Sequence, residues 1–316
     1  MTGLLLLLMG LVAVVFGANW LVDGASALAR RLKVSDLAIG LTVVAFGTSL
    51  PELVVNVFAA VQNSPAVALG NVTGSNIANI LLILGLSALL CPLQVGKGTT
   101  WKEIPLALLA AILLWIFCSD TFLDGASASM LSRSEAFAFL GFFLVFLYYT
   151  FGIAHDLPTD GVTPPSRTLS TAKITILVLA GLALLIVGGK GVVEGAIRLA
   201  AAAGLSESFI AATLVAVGTS LPELATSVAA AWKKKPDIAV GNVVGSNIFN
   251  IFFVLGISGL IRPLAITPEL IPTLWIGILA AAILFVCMFT GTRHKIDRWE
   301  GAAMLAIYIL FLLIAA

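Results

Sequence analysis

Gly47-Thr48-Ser49-Leu50-Pro51-Glu52-Leu53 returns unchanged as Gly218-Thr219-Ser220-Leu221-Pro222-Glu223-Leu224, 171 residues later. Each copy sets one carboxylate, two hydroxyls and a proline inside an otherwise apolar run. A second block keeps the same register. Gly70-Asn71-Val72-Thr73-Gly74-Ser75-Asn76-Ile77-Ala78-Asn79-Ile80 recurs as Gly241-Asn242-Val243-Val244-Gly245-Ser246-Asn247-Ile248-Phe249-Asn250-Ile251, with two differences. The same shift aligns the halves without a gap from about Gly17 to Leu93, so the unit that repeats is larger than either motif.

The surroundings of the repeat fix the solvent. The chain has 316 residues, 60% hydrophobic and 10% charged, with a mean hydropathy of +1.12. Soluble domains carry about 25% charged residues, so a soluble protein is excluded. A helix crosses the hydrocarbon layer with about 20 mostly apolar residues. The apolar runs predict ten spans, at 3–28, 36–61, 67–90, 102–119, 134–153, 172–198, 207–231, 238–260, 271–290 and 299–315. Met1 leads straight into the first run with no basic leader or small-residue cleavage site, so that helix is expected to remain as an anchor.

Ten spans in two copies give five per copy, and an odd number makes the second copy enter the bilayer upside down. The expected fold is therefore an all-α polytopic membrane protein with ten transmembrane helices as two inverted five-helix repeats. Residues 1–154 form the first repeat and residues 171–316 the second. Residues 155–170, with Pro158, Pro164 and Pro165, form a linker. Inverted repeats are common in secondary transporters, whose site lies near the midplane where interrupted helices from both halves meet.

Basic residues set the orientation, because cytoplasmic loops are enriched in Lys and Arg. Thirteen of the seventeen fall in odd-numbered loops, among them Arg30, Arg31, Lys33, Lys173, Lys233, Lys234 and Lys235. Both termini are then expected outside the cell's inner (cytoplasmic) membrane. The Lys233–Lys235 run reads as a topology signal and not as a nucleic-acid patch. Cys91, Cys118 and Cys287 lack CxxC spacing and read as packing residues. His155 and His294 read as solvated loop residues. Asp23 reads as an interfacial anchor, and Lys190 as the ion-pair partner of Glu194 four residues on.

An ionised carboxylate inside a span is costly and marks an ion path. Thr48, Ser49 and Glu52 sit at i, i+1 and i+4 on one helix face, as do Thr219, Ser220 and Glu223. Pro51 and Pro222 break the intrahelical bonding pattern, so the carbonyls of Ala45 and Ala216 become candidate ligands one turn earlier. Ser75 and Asn79, and likewise Ser246 and Asn250, align at i and i+4 on the next helix. For Asn71, Asn76, Asn242 and Asn247, gluing helices together is as good a reading as ligation.

The pooled set is all oxygen, with no thiolate or imidazole. That suits a hard cation, and a flexible site with many ligands suits calcium better than magnesium; sodium, similar in radius, fits too. Two buried carboxylates are neutralised by one divalent cation and are costly to occlude empty. Only an occupied site then crosses the low-dielectric state cheaply, which couples outward to inward movement and makes exchange the expected mode.

The G-T-S-L-P-E-L and G-N-V-x-G-S-N stretches resemble the alpha repeats of the cation/calcium exchanger superfamily, in its prokaryotic sodium/calcium exchanger branch. The resemblance implies sodium-driven calcium transport, ten helices, and sliding of the first and sixth helices past a stationary core. It implies a central diamond of ion ligands at Glu52, Asn79, Glu223 and Asn250, flanked by Thr48, Ser49, Ser75, Thr219, Ser220 and Ser246. Asn250 stands where potassium-dependent relatives carry Asp, which argues against potassium co-transport. The large cytoplasmic insert of eukaryotic relatives has no counterpart in the short linker.

Calcium and sodium are the expected partners as transported ions, together with the lipid bilayer. No cofactor, enzymatic activity, nucleic acid or obligate protein partner is expected. A proton-driven calcium (or other divalent) exchanger of the same fold is the alternative. An intramembrane acid protease lacks a GxGD motif, and a passive channel would show calcium flux without a counter-ion.

Overall fold

The computed structural model describes residues 2–153, 169–202 and 218–315. The chain is predominantly helical, and we number its long helices in order. They are α1 (Thr2–Leu32), α2 (Asp36–Thr48), α3 (Leu50–Val61), α4 (Pro65–Leu90), α5 (Lys97–Phe117) and α6 (Arg133–Ile153). The remainder are α7 (Thr171–Ala202), α8 (Leu221–Trp232), α9 (Pro236–Ile261), α10 (Pro268–Cys287) and α11 (Arg298–Ala315). Among the described residues, seven helices are long and apolar enough to cross a membrane, or eight if the bent pair α2–α3 is one span. The expected span at 207–231 lies partly outside the described residues, and the one at 299–315 is helix α11.

The molecule is apolar on its outside and carries a polar cluster within its core. Leu4, Leu5, Leu8, Val12, Leu144, Val187 and Leu313 are exposed, while Glu52, Asn79, Glu223 and Asn250 are fully buried. In water that distribution would be costly, but against hydrocarbon it leaves each side chain in matching surroundings. The protein is a multi-pass membrane protein.

Helices α4 and α9 form the centre: 78% of each span is buried, against 28–33% for the other five that qualify singly. They carry the Gly-Asn-Val blocks. Phe249, Phe252 and Phe253 of α9 pack against Phe139, Phe142 and Phe143 of α6, with ring centroids 4.9–5.8 Å apart. Both central helices widen into π-helical turns, at Ala78–Leu84 and Asn250–Leu255. Such turns recur at functional sites because the wider ring re-aims the side chains at its edge.

Helices α1 and α7 run antiparallel along a seam of glycines. Gly3, Gly10, Gly17 and Gly24 recur every seven residues on α1, as do Gly181, Gly188 and Gly195 on α7. A Cβ added at Gly10 would lie 2.6 Å from the Val192 nitrogen, and one at Gly195 2.5 Å from the Leu7 nitrogen. The two backbones therefore touch, which dispersion favours in a bilayer and any larger side chain would prevent.

Short strands tie the halves together. β1 (Leu93–Gln94) pairs antiparallel with β4 (Lys295–Ile296), in the register Leu93 to Ile296. β2 (Met130–Leu131) pairs with β3 (Leu264–Ala265), Leu131 opposite Leu264.

Three expectations change. The break between α2 and α3 falls at Ser49, with a bend of 47°, so Pro51 opens a new helix instead of kinking one from within. A proline in the first turn has no intrahelical bond to lose. Glu194 pairs with Arg198 one turn on, and not with Lys190. His294 is half-buried and its Nδ1 lies 3.0 Å from Thr100 Oγ1, so it is not simply solvated. His155 lies outside the described residues. The three cysteines are free, with Cys118 and Cys287 buried.

Candidate cation site

Glu52 opens α3 and Glu223 opens α8, each just after the break that follows its Gly-Thr-Ser triplet. Both glutamates are fully buried. Hydroxyls from the opposite half reach them or their neighbours. Ser49 Oγ donates to Glu223 Oε1 at 2.9 Å. Ser75 Oγ donates to Glu52 Oε1 at 3.3 Å and lies 2.9 Å from Ser220 Oγ. Each carboxylate thus accepts one serine hydroxyl, Glu223 from the other half and Glu52 from a serine that itself meets the other half at Ser220.

Asn76 and Asn247 aim the neighbouring amides. Asn79 Nδ2 donates to Asn247 Oδ1 at 2.9 Å, and Asn250 Nδ2 donates to Asn76 Oδ1 at 3.1 Å. With the nitrogens so engaged, Asn79 Oδ1 and Asn250 Oδ1 are left over. Those two oxygens, together with Glu52 Oε2, Glu223 Oε2 and Ser246 Oγ, are buried without a hydrogen-bond partner. A buried acceptor without a donor costs about 1–3 kcal/mol, more when charged, so five together are costly unless a cation coordinates them.

Around this centre the halves make matching bonds. Thr48 Oγ1 donates to Asn242 Oδ1 at 3.0 Å, and Thr219 Oγ1 to Asn71 Oδ1 at 3.4 Å. Asn71 Nδ2 donates to Asn56 Oδ1 at 2.7 Å, and Asn242 Nδ2 to Ser227 Oγ at 3.0 Å. Asn56 and Ser227 in turn donate to the carbonyls of Ala68 and Ala239. The first glycines of the two motifs both abut α7. A Cβ on Gly47 would sit 2.5 Å from Leu182 Cδ2, and one on Gly218 2.5 Å from Val193 Cγ2.

The sodium/calcium exchanger protein family matches residues 2–152 and 173–316. The chain belongs to that family. Among its relatives, the putative antiporter CaxA of Alkalimonas amylolytica is 38% identical, covering 96% of this chain and 95% of its own. The sodium/calcium exchanger MaX1 of Methanosarcina acetivorans is 34% identical over 98% of this chain and 97% of its own. The inner membrane protein YrbG of Escherichia coli is 37% identical, covering 97% and 94%. Among solved structures, the sodium-calcium exchanger NCX_Mj soaked without sodium and calcium superposes with a TM-score of 0.85 at 32% identity. That match covers 100% of this chain and 99% of the other.

Within this family frame, the expected site residues fall as follows. Glu52, Glu223, Asn79, Asn250, Thr48, Ser49, Ser75, Ser220 and Ser246 are all buried, and Thr219 is half-buried. Ala216 lies outside the described residues. The carbonyl of Ala45 already accepts from the Ser49 nitrogen at 3.1 Å and from Thr48 Oγ1 at 3.4 Å. It is not the orphan carbonyl expected of a proline break, because the break falls beyond it. Sequence reasoning gave Asn76 and Asn247 no distinct part. Their signal was the five-residue identity of Gly-Ser-Asn-Ile and its following Asn in both halves, but only the packing of α4 on α9 shows what the first Asn holds.

Proposed function

We propose that the chain is a secondary active antiporter that exchanges calcium for sodium across the membrane by alternating access. The observation that carries this is the set of buried, unpartnered oxygens on Glu52, Asn79, Glu223, Asn250 and Ser246. Its members come from both halves, and it contains neither sulfur nor imidazole. Oxygen-only sets of this kind suit calcium and sodium. Two buried carboxylates balance one divalent charge, and the cost of burying them empty opposes transit without cargo.

Thr48, Ser49, Ser75, Thr219 and Ser220 complete the coordinating shell in this reading, with the carbonyls of Ala45 and Ala216 entering when the helix break shifts. The fold is read as ten transmembrane helices in two inverted repeats, residues 1–154 and 171–316, joined by 155–170. The matching bonds of Thr48 and Thr219, and of Asn71 and Asn242, support the repeat, since each pair is related by the 171-residue shift. The distribution of Lys and Arg supports termini outside the inner membrane, and the similarity to an inner membrane protein of E. coli agrees with that location.

The test is calcium uptake into proteoliposomes under a sodium gradient alone and under a pH gradient alone. Uptake driven by outward sodium and absent under the pH gradient is the expected result. Uptake driven only by protons overturns the sodium assignment. Uptake with neither gradient overturns antiport.

A further inference from the structure

At the basic ends of α1 and α7, beside the turn from α8 to α9, a cleft of about 460 Å³ is lined by Trp20, Asp23, Arg30, Lys173, Lys233 and Lys235. Four cationic groups face one carboxylate. Lys233 Nζ lies 2.7 Å from Asp23 Oδ1 and donates to the Asn19 carbonyl at 3.0 Å. Lys235 Nζ lies 3.0 Å from Asp36 Oδ2. Among the described residues, the side chains of Arg30 and Lys173 make neither an ion pair nor a hydrogen bond. An excess of positive charge is thus concentrated in one concave cleft.

The shape of the cleft selects among anions. Trp20 and Arg30 both line it and stand ten residues apart on one helix, about 15 Å along the axis. The cleft therefore runs from Arg30 and Lys173 toward the membrane boundary at Trp20, past Leu177, and Lys233 Nζ meets the Asn19 carbonyl at that second end. Trp20 is 38% exposed, as tryptophans at the membrane boundary are. A small soluble anion needs only the rim, whereas a phospholipid fills both ends. Basic pockets between membrane helices are also the places that acidic headgroups occupy.

We propose that this cleft binds an acidic phospholipid, its phosphate at Arg30 and Lys173 and its glycerol and upper chain along Leu177 and Trp20. The site lies on the surface of the α1–α7 pair and is separate from the buried oxygens between α4 and α9. A lipid held there joins that pair to the α8–α9 turn.

Native mass spectrometry of the full chain, titrated with phosphatidylglycerol and with phosphatidylcholine, tests the proposal. Wild type is expected to retain phosphatidylglycerol preferentially. The double variant Arg30→Gln/Lys173→Gln is expected to bind it roughly 25-fold more weakly, at about one fivefold step per lost charge. Lys97→Gln/Arg293→Gln, exposed basic residues elsewhere, should bind as wild type. No preference for the acidic lipid, or equal retention by both double variants, overturns the proposal. Displacement of the lipid by glycerol phosphate at matched concentration overturns the lipid assignment in favour of a soluble phosphate.

Discussion

Asn76 and Asn247 each donate an amide hydrogen bond to the other's backbone carbonyl, both at 3.2 Å. They are 171 positions apart, so one residue of the repeat meets its own copy across the core. The same two side chains hold the nitrogens of Asn79 and Asn250, and leave the oxygens of those two amides buried without a hydrogen-bond partner.

Replacing either Asn76 or Asn247 by Ala should release one site amide without removing any ligand. The expected effect is a rise of about tenfold or more in the calcium concentration for half-maximal uptake, as when an orienting partner is lost from a metal site. Maximal uptake should fall less. Proteoliposome uptake at graded calcium separates the two, and unchanged concentration dependence would remove the positioning role.

Glu52→Gln and Glu223→Gln should each reduce sodium-driven calcium uptake to background, because an amide cannot balance the charge of a divalent ion. Lys234→Ala, in the turn between α8 and α9, should transport as wild type. Full transport by either glutamine variant contradicts the site.

Gly10→Leu or Gly188→Leu would drive side-chain atoms into the opposing backbone, since even a Cβ there lies within 3 Å of it. Overpacking of this kind costs roughly 1–3 kcal/mol. The melting midpoint in detergent should fall by several degrees. Gly277→Ala, where an added Cβ meets nothing within 4 Å, should be neutral or slightly stabilising.

The turn between α10 and α11 carries a local acid test. Asp297 is held below its ordinary range by its hydrogen bond to Lys295, then by the Thr292 amide nitrogen. A depressed carboxylate contributes stability above its unfolded value, about 3.9, and loses that contribution as pH falls through the folded value. Asp297→Asn should therefore lower the midpoint at neutral pH, and the difference from wild type should close below about pH 4. A difference constant with pH contradicts this.

The glutamates were legible in the sequence because a carboxylate among apolar residues has few structural explanations, and duplication in register leaves fewer. The multi-pass character followed from composition for a similar reason. The part played by Asn76 was not legible. Asn serves equally as helix glue, and only the crossing of α4 and α9 decides between the two. The position of the break was misjudged because Pro51 marks where a helix is able to begin, whereas Ser49 marks where the previous one ends. Strands of two residues, such as β1 and β4, leave no period to detect.

The unequal surroundings of the two motif glycines carry a consequence. Gly47 rests on Leu182 and Gly218 on Val193, so both lean on the same helix. Carrying each contact through the 171-residue shift instead pairs Gly218 with Leu11 and Gly47 with Val22, both on α1. The observed arrangement is therefore not its own counterpart under that operation. If the two halves trade roles as proposed, a second seating follows, in which the helix now bearing both glycines gives them up to its partner.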